Sequence, residues 1–416
     1  MISVFTLYFC SFFLVGAVFS KLRRNRDGQY DIEAQLQLLP RGKRQDQGRH
    51  ECEIFTHGDE VEESGEAWST CSKNPGHDTF IPAPEFCLDH LPECARYSSV
   101  LELVKLLSLL TVRLRVAFTS WERPKGYTFH NYRGSTEQHV GSGFVQDIIP
   151  GHGSCPCREC ENSPTPAQEW FCILIETACH VVYDTKEAES TKVDFFYDDA
   201  SSRTDGRMKS IFAKETILHS QDQDFCAMLC VTHDKRLSQE ILQYKQQLDK
   251  TYQLYRWYKN KFDDSMMADF YSLCLIVSHP HGHPKHVTVG RTERFIRDDD
   301  FMKVSYTTDT CCGSSGAPVT VIDIYKGGND IFSNKGRGPH SESLCVNGKT
   351  LNMSAEFLTM DLENNFKLWA KNNQHADFRR LTTEAIRKTC FLGVVFCVWL
   401  FLMAYLLGVF TPDVLF

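Results

Sequence analysis

Apolar positions along this chain fall into three patterns: a charge-free run near each end, two helical repeats, and a series of short strand-like runs between them. From Ser98 onward, Val100, Leu101, Val104 and Leu107 recur at helical spacing, with Ser98 or Ser99 placed to cap the helix. Residues 111–118 then alternate as a half-buried strand does. Runs at 141–149, 170–178, 192–198, 224–231, 270–277 and 317–325 are rich in β-branched and aromatic residues, with Pro-Gly, Gly-Ser and Asp-Asp turn chemistry between several of them. Many short strands with irregular connections predict a barrel or a sandwich. One long amphipathic helix interrupts the series: from Leu237 its stripe runs Ile241, Tyr244, Leu248, Tyr252, Tyr255 and Phe262. Such a stripe is expected to pack on the barrel, a partner-binding face being the alternative. Residues 21–95 hold no period, and a loosely packed lead-in carrying Cys52, Cys71, Cys87 and Cys94 is expected there.

The end runs point to a membrane. Residues 2–19 carry no charge and are followed by Ser20 and the basic residues Lys21, Arg23, Arg24 and Arg26. Residues 1–20 therefore read either as a signal peptide cut after Ser20 or as an N-terminal anchor. Residues 391–410 are apolar or small throughout, the length of one transmembrane helix. A buried core helix or a lipid-anchor signal are the rivals. Arg379, Arg380, Arg387 and Lys388 before this run favour a cytosolic domain, whereas the sequon at Asn352 favours the opposite side, so the orientation stays open.

Composition is that of a globular protein: 416 residues, 42% hydrophobic and 24% charged. A formal net charge of -8 with scattered signs argues against a nucleic-acid partner. The 18 cysteines mean disulfides, metal ligands or buried thiols, depending on compartment. Cys155, Cys157 and Cys160 form a CxCxxC string that can hold structural zinc if Cys172 or His152 supplies the fourth ligand. A disulfide, or free thiols, would also satisfy it. Four histidines at 279, 281, 283 and 286 suggest metal capture or the lining of a cleft.

The central segments carry the chemistry. Acyl transfer to water needs an activated hydroxyl, an imidazole, a carboxylate that fixes the imidazole, and amides aimed at the forming oxyanion. Gly313-Ser314-Ser315-Gly316-Ala317-Pro318 precedes a strand, Thr177-Ala178-Cys179-His180 closes one, and Asp224 enters one. Burying Asp224 alone would be costly, and a bond to His180 removes the cost.

With Gly141-Ser142-Gly143-Phe144-Val145 ahead of them, these strings resemble trypsin-like serine peptidases of the chymotrypsin fold, in the same His, Asp, Ser order. The resemblance covers about residues 110–325. It implies a mostly β fold of two six-stranded barrels in a peptidase domain spanning 98–370, here with an inserted long helix and a C-terminal transmembrane helix. It further implies Ser315 as nucleophile, His180 as general base and acid, Asp224 as orienting carboxylate, and the Gly313 and Ser315 amides as oxyanion hole. The substrate would be a polypeptide and no cofactor would be required. Asp309, six residues before Ser315, would by the same resemblance select a basic residue. Ser314 replaces the aspartate that pairs with a freed N-terminus in digestive members, so activity without cleavage at the domain's start is expected. Cys179 precedes the histidine instead of following it, which puts the usual disulfide in doubt. The alternatives are a catalytically silent protease-like binding or scaffold protein at a membrane, and a cysteine-rich receptor ectodomain.

Overall fold

The structure is a computed structural model that describes residues 50–56, 60–151, 153–259, 270–297, 301–325, 331–333, 338–346, 349–354 and 357–358. The end runs 1–20 and 391–410, His152 and Phe262 lie outside these residues. Among the described residues no helix is long and apolar enough to cross a membrane.

The fold is mostly β. In chain order the strands of its first half are β1 (Glu53–Phe55), β2 (Ile81–Pro82), β3 (Thr111–Val116), β4 (Gln138–Pro150), β5 (Phe171–Thr177), β6 (Thr191–Phe195), β7 (Lys209–Ser220) and β8 (Phe225–Thr232). Those of its second half are β9 (Phe270–Ser278), β10 (His286–Arg297), β11 (Phe301–Tyr306), β12 (Val319–Tyr325), β13 (Ile331–Ser333), β14 (His340–Val346), β15 (Lys349–Ser354) and β16 (Phe357–Leu358). The α-helices are α1 (Glu60–Ser69), α2 (Ser98–Leu110), α3 (Arg158–Glu161), α4 (Thr185–Glu189) and α5 (Lys235–Lys259).

Strands β4-β3-β6-β7-β8-β5 pair in that order, and β5 pairs back onto β4, closing a six-stranded barrel. Closure turns on β4, which bends at a bulge between Val145 and Asp147 and so serves β3 with one half and β5 with the other. All eight residues of β8 are buried. Cys226, Met228 and Cys230 face the main core, while Phe225, Ala227, Leu229 and Val231 pack with Trp170, Cys155 and Cys160 on the opposite side. Covered on both faces, β8 reads as a continuous apolar run instead of an alternating one.

The second sheet runs β13-β12-β9-β10-β11-β15-β14. A bridge between Pro318 and Pro339, with the Val319 amide on the Gly338 carbonyl and the His340 amide on the Ala317 carbonyl, brings its β14 end back to β12. Strand β9 turns Leu273, Leu275 and Val277 to the main core, and Cys274 and Ile276 to a second cluster with Val304, Tyr306 and Val319.

Helix α2 buries Val100, Leu103, Val104, Leu106, Leu107 and Leu110. Its N-cap is Tyr97, without a side-chain cap, so Ser98 begins the helix and does not cap it. On α5, Leu237, Ile241, Leu248 and Tyr252 join the same core. The lead-in is more ordered than its sequence suggests. Residues 75–95 hold four 3-10 turns, and Phe86, Leu91 and Ala95 are buried in the main core. One apolar anchor per short turn leaves no period to read. The sequon also changes meaning: Asn352 is fully buried and its amide donates to the Thr308 carbonyl at 2.6 Å, leaving no room for a glycan on the folded domain.

Candidate active site

His180 ends the segment after β5, and Asp224 precedes β8, the strand paired with β5. Antiparallel pairing therefore brings together two residues 44 positions apart. The Nδ1 of His180 lies 2.7 Å from Asp224 Oδ2, and the His180 amide donates to Asp224 Oδ1 at 2.9 Å. A carboxylate only accepts, so Nδ1 carries the hydrogen. Ser341 Oγ donates to the same Oδ2 at 2.5 Å. Asp224 takes a left-handed backbone, φ 50°, to turn its carboxylate into this position. Burial alone would raise its pKa, but His180 and His50 outweigh that and hold it well below the usual carboxylate range. Burial likewise works against a charged His180, yet Asp224 prevails, with Cys52 adding, and raises the imidazole pKa. The other ring nitrogen, Nε2, is buried without a hydrogen-bond partner among the described residues.

The His180 carbonyl is fixed as well. Arg123, fully buried, donates to it at 3.0 Å, to the Thr128 carbonyl at 2.9 Å, and to both oxygens of Glu187 at 2.6 and 2.7 Å. Glu187 is held by the N-terminal turn of α4, capped by the Asp184 carboxylate.

Ser315 sits in the loop before β12. Gly313 and Gly316 adopt φ 87° and 84°. A Cβ at Gly313 would stand 2.5 Å from the His279 carbonyl, and one at Gly316 would stand 2.1 Å from Thr177 Oγ1, so both positions need glycine. The Gly141–Val145 string has a specific role in this loop. The Ser142 amide donates to the Ser315 carbonyl at 2.7 Å, and its hydroxyl donates to the Gly313 carbonyl at 2.8 Å while accepting from the His279 amide at 2.9 Å. Ser314 lies 3.0 Å from Ser278 and accepts from the Cys311 amide at 3.2 Å. Neutral hydrogen bonds thus hold the loop.

The carbonyl of Glu51 lies against the Ser315 loop. The Gly313 amide donates to it at 3.0 Å and the Ser315 hydroxyl at 2.8 Å. Of the Gly313 and Ser315 amides named in the sequence analysis, the Gly313 amide is one of the two donors to this carbonyl. The Asp309 carboxylate accepts from Thr79 Oγ1 at 2.8 Å. Ser341 and Arg123 were missed because neither carries a local motif. Only the approach of distant strands makes them neighbours of Asp224 and His180.

The CxCxxC string does converge. Cys155, Cys157 and Cys160 offer ligand atoms within 4.8 Å of one another, and the fourth member is His233, at the end of β8. Its Nδ1 lies 3.8, 3.6 and 3.7 Å from the three sulfurs. Cys172 is buried within β5 and is not part of the group. Among the histidines at 279–286, His283 packs on the lead-in, the Trp68 ring stacking on those of His77 and His283 with centroids 3.8 and 4.5 Å away, and His281 groups with Cys71, His77 and Cys311. Cys179 is a buried free thiol.

No family model and no curated protein matches the sequence. Solved structures that match include the Rv3671c protease of M. tuberculosis in its active form, at 14% identity and a TM-score of 0.32, covering 64% of this chain and 82% of that one. An HtrA-type protease, AlgW, with tripeptide matches at 14% identity and a TM-score of 0.29, covering 62% and 60%.

Proposed function

We propose that this chain is a serine endopeptidase acting through Ser315, His180 and Asp224. The observation that carries the reading is the peptide carbonyl held jointly by the Gly313 amide and the Ser315 hydroxyl, in a site whose buried imidazole is oriented by a buried carboxylate. In this mechanism the Ser315 hydroxyl gives its proton to His180 Nε2, which is buried without a hydrogen-bond partner among the described residues, and its oxygen attacks the carbonyl carbon. The proton passes on to the departing amine, leaving an ester on Ser315. Water cleaves the ester, His180 this time acting first as base and then as acid. Asp224 keeps the hydrogen on Nδ1 so that Nε2 is the nitrogen that works. The substrate is a polypeptide, lying between the first barrel and a second one formed by β9 to β15. A zinc ion on Cys155, Cys157, Cys160 and His233 would brace the outer face of β5 and β8, remote from the chemistry. The apolar stretches 2–19 and 391–410 would hold the peptidase at a membrane.

A fluorophosphonate probe tests this reading. Ser315 should be labelled in the protein expressed from the full chain, and Ser315→Ala should abolish both labelling and peptide hydrolysis. Labelling that survives the change refutes it.

A further inference from the structure

The segment that fills the cleft is the chain's own. We propose that the bond between Glu51 and Cys52 is a self-processing site and that the pocket around the Glu51 side chain selects glutamate. This inference rests on the peptidase reading above.

Residues 50–55 lie as a substrate strand. On one side His50 bridges Glu342 next to the start of β14; on the other, β1 pairs antiparallel with β4, Glu53 opposite Val140. Main-chain pairing on both sides of one carbonyl is how an extended peptide is held for cleavage. The side chains agree. His50 stacks on the ring of His180, with centroids 4.0 Å apart, and Glu53 Oε2 lies 2.7 Å from His281 Nδ1.

Glu51 itself is buried, and its carboxylate is fully met. Oε2 accepts from Thr310 Oγ1 at 2.6 Å and from His340 Nε2 at 3.0 Å; Oε1 accepts from Lys73 Nζ at 2.5 Å. Burial would raise its pKa, but Lys73 and His340 outweigh this and keep it ionised. Burial also keeps His340 neutral, its pKa lowered. Tyr306 OH lies 2.6 Å from His340 Nδ1, so the hydroxyl donates to Nδ1 and Nε2 carries the hydrogen that meets Glu51. A neutral histidine and a threonine would donate to a glutamine oxygen equally well. The Lys73 ammonium is the group that favours a charge. In this proposal an acidic preference, read by Thr310, stands in place of the basic one that the resemblance attached to Asp309.

In the reaction Ser315 Oγ bonds to the Glu51 carbonyl carbon, and its proton moves through His180 to the Cys52 nitrogen as the peptide bond breaks. Water then releases Glu51 as a carboxylic acid and restores Ser315. The nucleophile loop is already held by Ser142 and Ser314, so the cut is a product of the assembled site and not a condition for it. It separates residues 1–51 from the rest.

The test uses the full chain. The expected result is a fragment whose first residue is Cys52, absent in Ser315→Ala and in Glu51→Ala, the latter still labelled by fluorophosphonate. A peptide of residues 46–56 should be cut between Glu51 and Cys52, and its Glu51→Gln version at least ~10-fold more slowly. Lys73→Met should narrow that preference, whereas a purely structural lysine would lower both rates together. A chain that is labelled and cleaves other peptides but leaves Glu51–Cys52 intact overturns the site and spares the peptidase reading. Absence of both labelling and cleavage overturns both. An uncut chain whose activity on added peptide rises with Glu51→Ala marks residues 50–55 as an inhibitor and also overturns the proposal.

A second cluster stands on independent geometry. Cys71, His77, His281 and Cys311 offer ligand atoms all within 4.8 Å of one another. The two sulfurs are 3.5 Å apart, and Cys311 Sγ lies 3.4 Å from His77 Nε2. Two thiolates on tetrahedral zinc stand about 3.8 Å apart. His281 Nε2 is buried and unpartnered while its Nδ1 bonds Glu53, the outer-shell carboxylate arrangement usual for a metal-binding histidine. We infer a structural zinc site that ties residues 71–77 to the nucleophile loop. Zinc content of the purified chain should fall by one ion in both Cys71→Ser and His77→Ala, and by one further ion when Cys155→Ser is added. Unchanged zinc in the first two variants overturns the site, as does a Cys71–Cys311 disulfide found by non-reducing mass spectrometry.

Discussion

The ring of His50 lies on the ring of His180 with their planes 5° from parallel, so the imidazole proposed to move the proton is shielded by the residue just before Glu51. That shielding, and the burial of Asp224 behind it, gives His180 a protonation behaviour that can be measured.

The His180 pKa is raised with the segment in place, so the proton is held more tightly than by a free imidazole. Catalysis needs the neutral ring, and falling pH removes it. The self-cleavage rate should therefore decline as pH drops through a midpoint above about 6.5, the ordinary histidine value. A rate-pH profile on the Glu51–Cys52 cut will show it, and an acid limb at or below that value would contradict the geometry.

Asp224→Asn should leave the fold intact and slow peptide hydrolysis by about 10⁴-fold, because an amide can donate to Nδ1 and hold the wrong tautomer. Single-turnover kinetics at matched thermal stability will separate this effect from misfolding.

Arg123→Met removes one member of a pair with Glu187 in which both side chains are fully buried. It leaves an uncompensated carboxylate and frees the His180 carbonyl, so unfolding free energy should drop by about 3–5 kcal/mol. Denaturant titration reads it. The double change to Met at 123 and Leu at 187 should recover most of the loss.

Gly316→Ala places a methyl carbon where Thr177 Oγ1 and the Ser142 carbonyl already stand, at φ 84°. The nucleophile loop cannot shift without losing the Ser142 contacts, so the variant should lose activity completely and melt well below the parent. Calorimetry alongside active-site labelling will check both outcomes.

The amino-acid sequence by itself determined the strand-rich centre and singled out His180 and Asp224, which meet in the structure, along with Ser315, whose part in the chemistry is a proposal. Hydrophobic period and short glycine-bearing strings are local properties, legible without a fold. Strands β7 and β10 escaped because charged residues such as Lys214, Glu215, Arg291 and Glu293 interrupt their apolar pattern. Only tertiary structure decided that His233 completes the three-cysteine loop, and that Ser341 and Arg123 support Asp224 and His180. It alone placed Thr310, His340 and Lys73 around Glu51. Each of those groupings joins residues from separate strands or from the aperiodic lead-in. Their proximity is set by barrel closure and by which segment enters the cleft, and neither leaves a periodic mark along the chain.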